Sequence, residues 1–185
     1  MRTRTMLCAA RVARGMSTFE VRDRAWLERV HTSFGSQTFM SHLGARLVRV
    51  TPGEVCIECE ASPALRQQNG YFHAGVTTSI ADSAAGYAAL TLFPAGAEVL
   101  TTELKINLLR PAQGDRLVAR GRVVKPGKAL TVCQADVYGV TAQRDGEDGA
   151  AGTGAGAGTA GGGEVHVATL LLTMMQMHTS DADAG

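Results

Sequence analysis

The stretch QQNGYFHAGVTTSIADSAAGYAAL, residues 67–90, decides how this chain folds. It begins with polar residues around Gly70, a composition that is typical of a turn. From residue 76 to residue 90 nearly every side chain is apolar or small, which predicts a buried helix rather than a surface one. One carboxylate, Asp82, stands in the middle of this helix, where an acidic residue is rarely found without a specific reason.

The neighbours of Asp82 along the helix are small. At helical spacing Asp82 shares a face with Thr78, Ala85, Gly86 and Ala89, so there is space around its carboxylate. The pattern allows two interpretations, a catalytic acid or base beneath the start of a helix, or a salt-bridged carboxylate on a core helix. Because structural ion pairs also place carboxylates in unusual positions, periodicity alone leaves both open.

The order of residues at the start of this helix resembles the signature of the hotdog-fold acyl-CoA thioesterases of the PaaI type. The usual form of that signature is Asn-x-x-Gly-x-x-His-Gly-Gly, followed by a helix that carries Asp. Gly70, His73, Gly75 and Asp82 fall on this spacing. The resemblance continues in residues 100–112 and 114–115, and it covers about residues 43–140 together with the last strand.

Two positions depart from that signature. Ala74 replaces the first Gly after His, and Gln67 occupies the position of the usual Asn, with Asn69 two residues further on. A backbone N–H is the same group in Ala and Gly, so Ala74 can serve in the same role provided that its φ is negative.

The resemblance implies an α+β hotdog fold, an antiparallel sheet wrapped around one long central helix. Relatives of this type form dimers by sheet extension, and the dimers often pair. We expect a helix over residues 19–34, a connection over 35–41, and a hairpin with strands 43–50 and 54–61. After the central helix, strands 98–109, 116–125 and 129–140 form a meander, and a last strand covers 164–177.

Two segments are expected to lie outside this fold. Residues 1–18 contain four Arg and no acidic residue, which is typical of a mitochondrial targeting sequence, although an ordinary basic tail has the same composition. We therefore expect the mitochondrial matrix, and otherwise the cytoplasm. Residues 142–163 are of low complexity and predict a disordered insertion, so residues 19–185 form a single domain with one inserted loop.

Thioester hydrolysis needs an activated water or a nucleophile, together with donors for the oxyanion that forms. Asp82 is the candidate base or nucleophile. The backbone N–H groups of Ala74 and Gly75 are the candidate oxyanion donors, because they stand at a helix N-terminus. The resemblance assigns Gln67 to orienting the water or the thioester carbonyl. It also implies that Thr101 reaches the site from the neighbouring subunit, while the alternative for Thr101 is an ordinary strand residue.

Further residues are candidates for binding the substrate. His73 either fixes the turn through its ring or, as in the dehydratase branch of the same fold, acts as a base together with a carboxylate. An arginine row on one strand (Arg116, Arg120, Arg122) is either a solvated face or a site for the phosphates of coenzyme A. The remaining candidates for contact with the substrate are Asn69, Gly70, Ser83, Arg110, Lys125 and Lys128.

Composition narrows the choice of partners. The chain has 185 residues with a formal net charge of +1, so nothing indicates bulk attraction to nucleic acid or to an anionic membrane. The five His residues show no ligand spacing, and the C-x-x-C pair at Cys56 and Cys59 lies on a predicted strand, so we predict no metal. Coenzyme A is expected as part of the substrate, with no separate cofactor.

The sequence is compatible with three functions. The leading hypothesis is an acyl-CoA thioesterase that uses Asp82. The second is an enoyl-CoA hydratase or dehydratase on the same fold, which would use His73 with Asp82. The third is a non-catalytic module that binds acyl-CoA or fatty acid. An assay for free thiol released from a panel of acyl-CoAs distinguishes the three.

Overall fold

The computed structural model describes residues 19–142 and 163–178. The predicted extension over residues 1–18 and nearly all of the predicted insertion lie outside the described residues. The helices are α1 (Trp26–Ser36), α2 (Thr38–His42) and α3 (Ala74–Leu90), and a short 3-10 turn, Pro63–Leu65, precedes α3. The strands are β1 (Ala45–Thr51), β2 (Glu54–Glu60), β3 (Ala97–Leu108), β4 (Arg116–Lys125), β5 (Leu130–Val140) and β6 (Glu164–His178).

The six strands form one antiparallel sheet in the order β1-β2-β4-β5-β6-β3, and α3 packs against one face of this sheet. Nearly all of α3 is apolar or small, and 11 of its 17 residues are buried, which is why the helix occupies the centre of the core. The predicted α+β class, the hairpin and the long central helix are confirmed. Among the described residues, none of the helices is long and apolar enough to cross a membrane.

The predicted meander is wrong in one respect, the position of β3. This strand lies at the edge of the sheet and pairs with β6, from Ala97 opposite His178 to Leu108 opposite Ala168. The neighbours of β4 are β2 and β5. The reason is that α3, with 17 residues, is about 25 Å long and carries the chain from β2 across the sheet to its far edge.

The predicted helix over residues 19–34 and the connection after it also differ from the structure. The helix begins only at Trp26, and a second short helix, α2, occupies most of the predicted connection. Each helix buries an apolar side chain in the core, Val30 from α1 and Met40 from α2. Packing of Met40 therefore orders a segment whose local sequence carries little helical signal.

Two contacts fix the position of α3. The helix crosses β4 at Gly121, where a methyl group would overlap the backbone of Ala84 and Ala85. At the other end the Arg29 guanidinium donates hydrogen bonds to the carbonyls of Leu90, Phe93, Pro94 and Ala97. These bonds satisfy carbonyl groups at and just beyond the helix C-terminus, where the helix dipole favours a cation.

Candidate active site

The start of α3 has a side-chain cap. His73 is the N-cap residue, with φ −63° and ψ 139°, and its ring Nδ1 accepts a hydrogen bond from the Gly75 N–H at 2.9 Å. The Gly75 N–H is therefore occupied, although the sequence predicts it to be free. Because Nδ1 accepts this bond, the His73 ring holds the turn at the start of α3.

Ala74 is the first residue of α3, and its φ is negative, as the role of an oxyanion donor requires of Ala. Within residues 19–142 and 163–178, the Ala74 N–H has no hydrogen-bond partner. Both Ala74 and Gly75 are exposed. Of the two predicted donors, Ala74 is thus the one whose N–H is available to a ligand at the positive end of the helix dipole.

Asp82 lies two turns further along the same helix and is half-buried. The Thr101 hydroxyl donates a hydrogen bond to Asp82 Oδ1 at 2.8 Å. Burial raises the pKa of the Asp82 carboxyl, and the hydrogen bond from Thr101 lowers that pKa in part. The carboxylate is therefore held in one position and is a better proton acceptor than a solvated Asp.

Thr101 reaches Asp82 within its own chain, whereas the resemblance implies that this hydroxyl comes from the neighbouring subunit. The register of β3 against β6 shifts between Thr101 and Glu103. This bulge lets Thr101 point to α3 while Glu103, two residues on, accepts a hydrogen bond from Thr173. The irregular strand thus supplies the partner that the carboxylate needs from the same subunit.

A cleft of about 540 Å³ opens at the N-terminus of α3. The loop before α3 forms one wall, and the chain that leaves β3 forms the other. Four predicted site residues line this cleft, namely Gln67, His73, Ala74 and Arg110. Asp82, Ser83 and Thr101 do not line it.

The loop that carries Gln67 is a tight turn. The Gln67 N–H donates to the Tyr71 carbonyl at 2.8 Å, and Gly70 adopts φ +83°. Gln67 Oε1 accepts the backbone N–H of Asn69, so the side-chain oxygen is engaged within the loop. The side-chain NH₂ of Gln67 is the group that can donate to a ligand. Asn69 and Gly70 shape this turn and do not line the cleft.

The predicted lysines lie elsewhere. Lys125 pairs with Val132 near the opposite end of the sheet from Arg110, which donates to the carbonyl of His166 at 3.1 Å. Lys128 borders a separate hollow of about 300 Å³ beneath the segment that precedes α1. The structure therefore does not bring Lys125 or Lys128 to the cleft within one chain.

The arginine row of β4 is paired within the sheet. The Arg116 guanidinium lies 3.5 Å from Glu58, and Arg122 donates to Gln134 at 2.6 Å. Arg120 forms an ion pair with Glu164 and also stacks over the ring of Tyr138. These contacts speak against a phosphate site at this row, because each guanidinium already has a protein partner.

Several residues that line the cleft were not predicted from the sequence, among them Tyr71, Thr77 and Leu108. Thr77 is 1% exposed, and its hydroxyl oxygen has no hydrogen-bond partner among the described residues. It stands three residues after Ala74, a spacing that places both on one helix face. The spacing of three residues from Ala74 is the feature of the sequence from which Thr77 could have been predicted as a site residue.

Comparison with known proteins identifies the family. Residues 69–142 match the model of the Thioesterase superfamily. The crystal structure of a thioesterase family protein from Silicibacter pomeroyi is 38% identical, with a TM-score of 0.71, over 83% of this chain and 99% of that chain. The chain therefore belongs to the thioesterase superfamily. It has the hotdog fold that the sequence predicts, and its activity is that of a thioester hydrolase.

More distant proteins agree with this assignment. The E. coli PaaI protein from the phenylacetic acid degradation operon is 18% identical, with a TM-score of 0.65, over 84% of this chain and 95% of that chain. At this identity the likeness shows the fold. A Halobacterium salinarum protein named "Putative esterase" is 28% identical over 137 residues, which span 71% of this chain and 89% of that protein.

Proposed function

We propose that the protein hydrolyses acyl-CoA thioesters to a free acid and coenzyme A, with Asp82 as the base or nucleophile and the Ala74 N–H as the oxyanion donor. One observation carries this proposal. The same central helix presents at its first residue an N–H that has no partner among the described residues, and two turns further on a half-buried carboxylate held by Thr101. A solvated ion pair would require a cationic partner, and among the described residues Asp82 forms no salt bridge.

The reaction follows from these groups. The Asp82 carboxylate accepts a proton from a water as its oxygen attacks the thioester carbon, or attacks that carbon itself to form an anhydride that water then cleaves. Either attack places negative charge on the former carbonyl oxygen, which the Ala74 N–H and the helix dipole stabilise. Collapse of this oxyanion breaks the C–S bond and gives the acid after attack by water, or the anhydride after attack by Asp82. The coenzyme A thiolate leaves and takes up a proton from protonated Asp82 or from solvent. The NH₂ group of Gln67 orients the carbonyl or the water.

The two groups are too far apart to act on one carbonyl within a single chain. Asp82 follows Ala74 by eight residues, which corresponds to about 12 Å along the helix axis. A homodimer related by a two-fold axis removes this difficulty, because the N-terminus of each central helix then approaches Asp82 of the other copy. We therefore place each active site between two subunits.

The edge strand β3 is the surface that would join them. Leu104 and Leu108 pair with the buried Leu172 and Ala168, so they lie on the face of the sheet that carries α3. Yet Leu104 is 41% exposed and Leu108 is 55% exposed, because α3 does not extend over them. An open strand edge next to exposed leucines favours pairing with a second copy of the same strand.

The substrate's nucleotide end has a candidate site at the cleft. Among residues 19–142 and 163–178, Arg110 has no carboxylate partner, and one of its nitrogen atoms donates to the His166 carbonyl. The remaining N–H groups suit a phosphate, which accepts paired hydrogen bonds from a guanidinium.

Replacing Ala74 by Pro tests the proposed oxyanion donor. Proline lacks the N–H but is tolerated at the first position of a helix, and the extended ψ of His73 suits a residue that precedes proline. We expect the turnover of acyl-CoA by Ala74→Pro to fall ~10²–10³-fold, with the fold retained in circular dichroism. Ala74→Gly keeps the N–H and serves as the matched control, with activity near that of the parent.

Two results would contradict the proposal. One is an Ala74→Pro variant that is folded and turns over acyl-CoA as fast as Ala74→Gly. The other is a parent enzyme that releases no thiol from any acyl-CoA in a panel that varies chain length and includes aryl groups.

A further inference from the structure

Three consecutive residues of α3 carry a hydroxyl group, and only one of them lacks a partner among the described residues. The Thr78 hydroxyl donates to the Ala74 carbonyl at 2.9 Å, and the Ser79 hydroxyl donates to the Gly75 carbonyl at 2.7 Å. The Thr77 hydroxyl is the unpartnered one, although Thr77 is the buried member of the three. The bonds of Thr78 and Ser79 show that a hydroxyl on this helix can donate to the carbonyl four residues before it.

An unpartnered hydroxyl in a core is unfavourable. Leaving it unsatisfied destabilises the folded state, whereas an apolar side chain of the same shape, such as Val, is close to neutral. Buried polar groups without a partner are few in folded proteins, and each one calls for an explanation such as an absent ligand. Thr77 is therefore difficult to explain by the packing of α3 alone.

The position of Thr77 supplies that explanation. It lies in the wall of the cleft, one helical turn from the Ala74 N–H and on the same side of the helix. A threonine in a helix populates two χ1 rotamers, so its hydroxyl can turn from the wall toward a ligand. A molecule whose carbonyl oxygen rests on Ala74 would bring a group about one helical turn away, ~5 Å, within reach of Thr77.

The other walls of the cleft indicate which part of the substrate enters it. Apolar side chains such as Phe72 and Leu109 alternate with the amide groups of Gln67 and Gln68, and Arg110 adds a cation without an acidic partner in the described part of the chain. A fatty acyl chain would leave these amides and the cation without partners. The pantetheine arm has methyl groups, two amides and a phosphate at its end, and so matches all three features.

We propose that this cleft takes the pantetheine arm of the thioester, and that Thr77 determines specificity by hydrogen-bonding the amide nearest to the sulfur. This inference rests on the proposed function and adds the orientation of the substrate to it. In pantetheine that amide follows the sulfur after two methylene groups, a separation comparable with the distance between Ala74 and Thr77. The acyl group then extends away from the cleft, toward Asp82 and the subunit boundary.

Two model substrates isolate this hydrogen bond. An N-acetylcysteamine thioester carries the first amide of the arm with only an acetyl cap beyond it, and the S-butyl thioester of the same acid is a slightly shorter apolar analogue without the amide. We expect Thr77→Val to lower kcat/KM about tenfold for the N-acetylcysteamine thioester and for acyl-CoA, and to leave the S-butyl thioester unchanged. Thr77→Ser keeps the hydroxyl and should restore the preference for the amide.

Two controls separate this role from a structural one. Thr78→Val removes a neighbouring hydroxyl that already has a partner, and it should leave the ratio of the two kcat/KM values at the parent's level. The melting temperature of Thr77→Val should equal or exceed that of the parent, because no internal hydrogen bond is lost. An equal loss of kcat/KM on both thioesters, or a fall in melting temperature, would overturn the proposal for Thr77.

The activity of the parent enzyme on these substrates separates failure of the Thr77 proposal from failure of the proposed hydrolase function. If the parent hydrolyses neither acyl-CoA nor the model thioesters, the hydrolase proposal itself is wrong. If the parent hydrolyses the N-acetylcysteamine and S-butyl thioesters with equal kcat/KM, the enzyme remains a thioester hydrolase, and the assignment of the pantetheine arm to this cleft is wrong.

Discussion

Asp82 combines two environments that act on its protonation in opposite directions. Burial raises the pKa of the carboxyl group, and the hydrogen bond from Thr101 lowers it. Thr101 also lies 3.4 Å from the Met174 sulfur, but a hydroxyl has one proton, and a carboxylate is the stronger acceptor. The hydrogen bond from Thr101 therefore helps to set the pH at which the proposed base becomes ionised.

Replacing Thr101 by Val should shift the acid limb of the pH–rate profile. The proposed mechanism requires ionised Asp82, so kcat/KM should fall as the pH drops through the pKa of that carboxyl. Because the hydrogen bond lowers this pKa, its loss raises the pKa, and the acid limb moves to higher pH. The profile of kcat/KM against pH, measured with one acyl-CoA, gives the shift directly.

Thr102 provides the matched control. Its hydroxyl donates to the Thr173 carbonyl at 3.1 Å and does not contact Asp82, so Thr102→Val should leave the acid limb in place. A limb that moves to lower pH in Thr101→Val, or that moves equally in both variants, would refute the assignment of Asp82 as the base.

The contact between α3 and β4 fixes the position of the helix on the sheet. The strand and the helix approach each other at Gly121 with no room for a side chain. Backbone atoms of Ala84 and Ala85, rather than a flexible side chain, form the opposite wall, so a larger residue cannot be accommodated by a rotamer change. The whole helix would have to move, and Asp82 with it.

Gly121→Ala should therefore destabilise the protein by at least the ~1–3 kcal/mol that is typical of overpacking, measured as the free energy of unfolding in urea. Gly35 is the control, since it is exposed within α1 and a methyl group added there would meet nothing within 4 Å. Gly35→Ala should stabilise by about 0.5–1 kcal/mol, because Ala loses less backbone entropy in a helix. Similar values for the two variants would show that the close approach at β4 does not constrain α3.

Some of these elements can be predicted from the sequence, and others depend on contacts between distant parts of the chain. The β1–β2 hairpin and α3 follow from periodicity and turn residues in one stretch of chain. The edge position of β3 does not, because the pairing of a strand depends on where the helix before it delivers the chain. The contact from Thr101 to Asp82 depends on a bulge, and the capture of the Gly75 N–H depends on the ring orientation of His73. Neither feature has a signature in residue spacing.

If the active site is shared between two subunits, as proposed, two inactive variants should restore activity when they form a heterodimer. Asp82→Asn removes the proposed base, and Ala74→Pro removes the proposed oxyanion donor, so each homodimer should be inactive. In a heterodimer of the two variants, one site combines the intact Ala74 of one copy with the intact Asp82 of the other. The heterodimer should then show about half of the parental activity, because one of the two equivalent sites of a two-fold symmetric dimer is complete.

Co-expression of the two variants with different tags, followed by assay of the purified heterodimer, measures this restoration. Dimers of Asp82→Asn paired with itself and of Ala74→Pro paired with itself, prepared in the same way, give the background. If the heterodimer is as inactive as these two, Asp82 and Ala74 act within one chain, and the proposed subunit arrangement is wrong.

The junction of β5 and β6 indicates a place where the chain can be altered without disturbing the sheet. The Thr141 N–H donates to the Gly163 carbonyl at 3.3 Å, so the two ends of the intervening segment, residues 143–162, meet at one point of the sheet. A segment whose ends are already tied together can be lengthened, shortened or replaced at little entropic expense. New chain termini opened there, with the old ones joined by a linker, would leave the proposed catalytic groups in place, so we expect circular permutation or domain insertion to be tolerated at this junction.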